Sequence, residues 1–179
     1  MQKINSIAVF CGSKTGNNSK FISQTIELGN FLGEKNIKLI YGGGKVGLMG
    51  AVANATLQTN GQVVGIIPEV LVEWEQQHND ITELIVVDNM HVRKKMMYEL
   101  SDAAIILPGG YGTLDELFEM LTWNTLKIHE KKVFILNIDG FYDALIQHYI
   151  KMQDEDFLYE EWSQRIFICK NVAELKTLL

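Results

Sequence analysis

Three stretches carry residue types suited to binding and transforming an anionic small molecule: Pro108-Gly109-Gly110-Tyr111-Gly112-Thr113, Met90-His91-Val92-Arg93-Lys94-Lys95, and Asp115-Glu116. In the first, Gly109, Gly110 and Gly112 allow positive φ and a close approach of the backbone to a ligand. The turn leads from an apolar run into a helical one, so it ends on the unpaired amides and partial positive charge of a helix N-terminus, a phosphate site by construction. A tight turn that needs glycine for local reasons is the alternative. In the second stretch, Arg93, Lys94 and Lys95 fall at the start of a helix, where cations oppose the dipole at about 0.3–1 kcal/mol each. A bound anion removes that conflict. Successive helical residues turn by about 100°, so Arg93 and Lys94 are expected to face the ligand and Lys95 the solvent. Glu116 has two readings. Thr113-Leu114-Asp115-Glu116 spells a capping box, and the acids Asp115, Glu116 and Glu119 suit the dipole; a carboxylate beside a phosphate turn is also placed for catalysis. Leu114, Leu117, Phe118 and Leu121 are expected to form the buried stripe of this helix. Glu116, Glu119 and Trp123 then lie opposite, facing solvent, a site rim or a subunit, and the size of Trp123 favours a contact.

The elements that must position these residues alternate along the chain. Strands are expected at Ser6–Cys11, Ile37–Tyr41, Val63–Ile67, Leu84–Val87, Ala103–Leu107 and Val133–Leu136, with a short last one at Arg165–Ile168. Helical patterns lie between them: Ser19–Lys35, Leu48–Gln58, His91–Leu100, Thr113–Leu126 and Phe141–Met152, with a small helix after the last strand. This alternation implies βαβ units, a mainly parallel sheet of six to seven strands, and an α/β fold. Runs such as Ile7-Ala8-Val9-Phe10 are apolar throughout, as strands covered on both faces are. Ligands of such sheets sit beyond the carboxyl ends of the strands. Those ends carry Gly12-Ser13, Gly42–Gly47, Asn89 to Lys94 with Met90 among them, and Pro108–Thr113, so all four are expected at one rim. Gly42–Gly47 matches G-x-G-x-x-G, but it follows the second strand and no acid ends the third, so it reads as a second close-approach loop around Gly43 and Gly44 rather than a dinucleotide fingerprint. It is no Walker A loop either, since neither Ser nor Thr follows Lys45. The polar stretch Glu73–Thr82 reads as a loop or lid.

A chain of 179 residues fits one domain, expected to span 1–179. A net charge of −6 argues against a broad nucleic-acid surface but leaves room for a small anion held by two or three local cations. The two cysteines, Cys11 and Cys169, have no metal or disulfide spacing. His78, His91, His129 and His148 have no ligand spacing, although His91 could meet a phosphate or cap its helix. Met1–Asn5 does not read as a signal peptide, and no apolar run reaches the ~18 residues of a membrane helix. A cytoplasmic protein with no membrane partner is expected.

Taken together, Tyr41-Gly42-Gly43-Gly44, Met90-His91-Val92-Arg93-Lys94 and Pro108-Gly109-Gly110-Tyr111-Gly112-Thr113-Leu114-Asp115-Glu116 resemble the "lonely guy" (LOG) family of cytokinin riboside 5′-monophosphate phosphoribohydrolases. Cys11-Gly12-Ser13, Leu121-Thr122-Trp123 and Leu136-Asn137-Ile138-Asp139-Gly140-Phe141-Tyr142 extend the resemblance to nearly the whole chain. It implies a Rossmann-like doubly wound fold, a homodimer with the site near the subunit interface, and no metal or cofactor. The implied reaction is hydrolysis of the N-glycosidic bond of a nucleoside 5′-monophosphate, giving free base and ribose 5-phosphate. The family's essential arginine and glutamate fall on Arg93 and Glu116. Its substrate contacts fall on Glu75, Lys94, Gly109, Gly110, Tyr111, Gly112, Thr113 and Thr122. Gly12, Ser13, Gly43, Gly44, Met90 and Asp115 complete the expected substrate-binding set, with Asp115 standing where many members carry Glu. Lysine decarboxylation, long attached to the family as a label, has no matching chemistry, because no pyridoxal-type lysine site is evident. General AMP nucleosidase activity and a non-catalytic nucleotide or cofactor carrier are the alternatives.

Overall fold

The computed structural model describes residues 3–72 and 76–179. Seven strands form one sheet: β1 (Ser6–Phe10), β2 (Lys38–Tyr41), β3 (Val63–Pro68), β4 (Glu83–Val87), β5 (Ala103–Ile106), β6 (Val133–Leu136) and β7 (Ile166–Cys169). Every pairing is parallel, in the order β4-β3-β2-β1-β5-β6-β7. The helices are α1 (Ser19–Glu34), α2 (Gly47–Gln58), α3 (Met90–Glu99), α4 (Tyr111–Thr125), α5 (Asp143–Asp154) and the short α6 (Val172–Leu175). The expected α/β class, strand number and parallel sheet are all present, and the last strand is a full member of the sheet. No helix is long and apolar enough to cross a membrane among the described residues.

Alternate residues of each strand feed two cores. In β1, Ile7 and Val9 join Leu28 and Leu32 of α1, Leu48 and Val52 of α2, and Leu175 of α6. Ala8 and Phe10 join Met97 and Tyr98 of α3, Leu117 and Met120 of α4, and Tyr149 of α5. Both faces are therefore covered, which explains the unbroken apolar runs. Gly29 and Gly33 let α1 lie close on α2: a Cβ on Gly29 would stand 2.6 Å from the Val52 carbonyl.

The strand order reverses between β1 and β5. There the chain leaving β1 packs against the chain leaving β5, with the Leu107 amide donating to the Phe10 carbonyl and the Gly12 amide to the Pro108 carbonyl, at 2.9 and 3.0 Å. Crevices at such switch points are where open α/β sheets take their ligands. The β4-to-β5 connection runs from the sheet edge to its centre, so α3 must cross the sheet, and this brings its first turn to the same rim.

Candidate active site

Beyond the carboxyl ends of β1 and β5 lies a cavity of about 390 Å³. Its floor is Val9, Phe10 and Cys11; its walls are Gly42, Met49, Met90 and Arg93; Leu71 and Ser13 border it, and Gly110 to Thr113 with Glu116 close the remaining side. The structure thus gathers Ser13, Met90, Arg93, Gly110, Tyr111, Gly112, Thr113 and Glu116 around one space, although they come from two loops and two helices.

α3 is started by Asn89, whose side chain accepts from the Val92 amide at 3.0 Å. The cap is this asparagine, not His91, whose side chain is exposed. The crossing places Arg93 in the interior, only 4% exposed. Its Nη2 donates to the Gly42 carbonyl at 3.2 Å. The second glycine loop does approach something closely, and that something is this guanidinium: a Cβ on Gly42 would stand 2.1 Å from Nη2. Lys95 is solvent-facing and pairs loosely with Glu99 at 3.7 Å, as expected of a surface lysine.

α4 begins at Tyr111, with Gly110 as its cap and no side-chain hydrogen bond there. This overturns the capping-box reading. Thr113 is the third helical residue and is buried against Gly109, while Glu116 lies a turn further on and cannot reach back to a cap. The turn ends early because Gly109 is wedged between Gly12 and Thr113; a Cβ there would stand 2.1 Å from Thr113 Oγ1 and 3.0 Å from the Gly12 nitrogen. Glu116 is 8% exposed and borders the cavity.

The glycines of this turn also differ from expectation. None of Gly109, Gly110 and Gly112 has a positive φ. A Cβ on Gly110 or Gly112 would meet nothing within 4 Å. Neither conformation nor packing requires glycine at these two places. What they leave open is space directly over the amides of Tyr111, Gly112 and Thr113, the first of the orphan donors of a helix start. The Tyr111 side chain is 95% exposed and does not fill it.

The buried face of α4 is rotated from the expected stripe. Thr113, Glu116, Leu117, Met120 and Asn124 are buried, Leu114 and Leu121 only partly, and Phe118 is exposed. The reason is α3, which lies where the sequence pattern suggested solvent or a partner. Lys94 is buried there, with Nζ 2.8 Å from Glu119 and 3.0 Å from Asp115. Burial alone would lower its pKa, but the hydrogen bonds it donates to Glu119 and Asp115 outweigh this and hold it above the usual lysine value. Tyr98 donates to the Glu116 carbonyl at 3.2 Å and lies 3.3 Å from Glu119 Oε2. Trp123 packs edge-on to Tyr98, with centroids 4.6 Å apart. Lys94, Asp115 and Glu119 therefore tie α3 to α4 behind the cavity rather than bordering it.

Other expected contacts lie around the space without lining it. Gly12 and Gly109 form its frame. Gly43 and Gly44 face the β3–β4 connection, where the His78 amide donates to the Gly43 carbonyl at 2.9 Å and Gly44 bridges to Gln77. Thr122 lines a different, apolar groove with Phe118, Leu121, Tyr149, Phe157 and Trp162. Glu75 lies outside the described residues. The sequence reading missed Gly42, Met49 and Leu71 as cavity residues. Gly42 sits inside the glycine run and was legible as a strand end; Met49 and Leu71 carry no signal beyond being apolar.

The strand order and the switch-point cavity define a doubly wound, Rossmann-like α/β protein with a glycine turn that opens a helix at the cavity. The model of a family described as "possible lysine decarboxylase" matches residues 49–179. The chain is 44% identical over 173 residues to cytokinin riboside 5′-monophosphate phosphoribohydrolase LOG2 of Arabidopsis thaliana, covering 97% of this chain and 81% of that protein. It is 41% identical over 168 residues to the cytokinin riboside 5′-monophosphate phosphoribohydrolase of Rhodococcoides fascians, covering 93% and 85%. The chain belongs to this phosphoribohydrolase (LOG) family. Among solved structures, the molybdenum cofactor carrier protein of Chlamydomonas reinhardtii shares the fold, with a TM-score of 0.73 at 16% identity over 98% of this chain and 95% of that one. The molybdenum cofactor binding protein of Rippkaea orientalis does so with a TM-score of 0.72 at 20% identity over 99% and 96%.

Proposed function

We propose that this chain hydrolyses the N-glycosidic bond of nucleoside 5′-monophosphates of the cytokinin type. The observation that carries the reading is the meeting of Arg93 from α3 and Glu116 from α4 on one cavity, opposite a helix start whose glycines leave its amides open. The 5′-phosphate docks on the Tyr111, Gly112 and Thr113 amides, which need no positive charge of their own because the helix start supplies it. That anchors the ribose with its anomeric carbon toward Glu116. The C1′–N bond breaks through an oxocarbenium-like state, whose charge the Glu116 carboxylate stabilises. Glu116 takes a proton from the attacking water as the C1′–O bond forms; the C1′–N bonding pair leaves with the base, which takes up that proton from the Glu116 carboxylic acid and so restores the carboxylate. Arg93, fixed by Gly42, orients Glu116 and the substrate. The apolar wall of Met49, Leu71 and Met90 suits the flat face of a base. Membership in the family at 41–44% identity to the relatives above supports the same chemistry.

Every element of this site belongs to one sheet, which supports a single domain spanning 1–179. The groove along α4 and α5, with Phe157 and Tyr159 77% and 93% exposed, supports a homodimer contact that brings Thr122 into an interface. Light scattering checks the dimer.

The test of function is base release from AMP and from isopentenyladenosine monophosphate, with Glu116→Gln as control. Wild-type release that falls about 1,000-fold or more in the variant, with AMP binding retained, supports the assignment, and the ratio of the two rates sets the preferred base. Binding without release by the wild type would replace it with a nucleotide carrier.

A further inference from the structure

The chemistry above makes no use of His78, yet few side chains are more firmly held. It is 2% exposed. Its Nε2 lies 2.9 Å from Asn54 Oδ1 of α2, and the Asp80 amide donates to its Nδ1 at 3.3 Å. An amide can only donate, so Nδ1 is the acceptor and the ring proton sits on Nε2, where it is donated to Asn54. One neutral tautomer satisfies both bonds.

The backbone around this ring is laid on the glycine loop. The His78 amide donates to the Gly43 carbonyl and the Lys45 amide to the Gln76 carbonyl, both at 2.9 Å, and Gly44 bridges to Gln77. The preceding carbonyl, that of Gly42, accepts the guanidinium of Arg93. Two consecutive carbonyls of one loop thus hold the connection after β3 and the arginine of the cavity. Gly43, with φ +81°, is the hinge between them.

We propose that His78 is a positioning residue: as a neutral imidazole it pins the β3–β4 connection to Asn54 of α2, which holds the His78 amide on the Gly43 carbonyl and so fixes the adjoining Gly42 carbonyl that seats Arg93. The catalytic consequence rests on the phosphoribohydrolase reading. Protonation undoes the latch, because an imidazolium has two donors and its Nδ1–H would point at the Asp80 N–H. Around the ring, the glycine loop presents the Lys45 ammonium, the connection presents the Asp80 carboxylate, and α2 presents the neutral Asn54. Burial and Lys45 disfavour the charged ring and outweigh Asp80, so its pKa lies below the usual 6.5. The latch is closed at neutral pH and opens on acidification.

The experiment measures kcat and KM for base release from AMP across pH for wild type, Asn54→Asp and His78→Gln, with AMP binding followed calorimetrically over the same range. A carboxylate at position 54 faces the Nε2–H and favours the imidazolium, so the acid limb moves up by about one pH unit or more. Glutamine keeps a donor for Asn54 but places no acceptor where Nδ1 meets the Asp80 amide; kcat falls about tenfold at neutral pH and the histidine limb disappears. An acid limb at the same pH in all three proteins would overturn the proposal. Should wild type release no base, the hydrolase reading falls, and the latch is judged on AMP affinity: an upward shift of its acid limb in Asn54→Asp supports it, an unmoved limb refutes it.

Discussion

Replacing Gly42 by alanine should separate the seating of Arg93 from the stability of the fold. The new Cβ would stand 2.1 Å from Arg93 Nη2 and 3.1 Å from Met49 Sδ. Ordinary contact begins near 3.4 Å, so the guanidinium must move by about 1.3 Å. The obstructing atom is the far end of a long side chain, which can swing away, and the effect on folding is correspondingly small: the thermal midpoint falls by roughly 2–4 °C, for a loss of about 1 kcal/mol. The effect on turnover is larger, because the bond from Nη2 to the Gly42 carbonyl at 3.2 Å no longer sets the guanidinium. A displacement of about 1 Å in a positioning group lowers rates by about 100-fold, which corresponds to about 2.7 kcal/mol. The assay is steady-state adenine release from AMP beside a melting curve. An Ala variant within about threefold of wild-type kcat/KM would refute the claim that Gly42 sets the arginine, and with it the reason given for a glycine there.

Gly112→Ala should do the reverse at the turn proposed to hold the phosphate. Nothing in the fold opposes the methyl, and alanine in a helix is favoured over glycine by up to about 1 kcal/mol, so the thermal midpoint holds or rises while AMP affinity, measured by calorimetry, drops about tenfold or more. Glu119→Ala removes one oxygen that serves both Lys94 and Tyr98; the stranded groups lower stability by about 1–3 kcal/mol, read from urea unfolding. His129 supplies a pH dependence. Burial, with Lys131 and Arg165 nearby, lowers its pKa from 6.5 to about 4. Its folded pKa is depressed, so its contribution to stability is full above pH 6.5 and is lost as pH falls towards about 4. Urea midpoints taken through this window should fall more steeply for wild type than for His129→Phe.

Much of this protein is legible in its residues. The alternation of apolar runs with helical patterns set the class, the strands and the helices to within a residue or two, because both periodicities are local. The glycine turn before α4 was readable for the same reason: strand, glycines and helix are contiguous, and a helix start carries its partial charge wherever it is placed. Tertiary structure decided what faces what. Glu116 looked like a cap because Thr113 precedes it by three residues; only the wedge of Gly109 between Gly12 and Thr113, 97 and 4 residues away in the chain, starts the helix at Tyr111 and frees the carboxylate from that role. Lys94 looked ligand-facing because it follows Arg93, but α3 crosses the sheet and a 100° step along it points Lys94 at Glu119 and Asp115 instead. Such outcomes depend on where β5 lies relative to β4, a matter of strand order that no local pattern encodes. The chain itself determined which side chains were available for chemistry; the order of its strands determined which of them meet at the cavity.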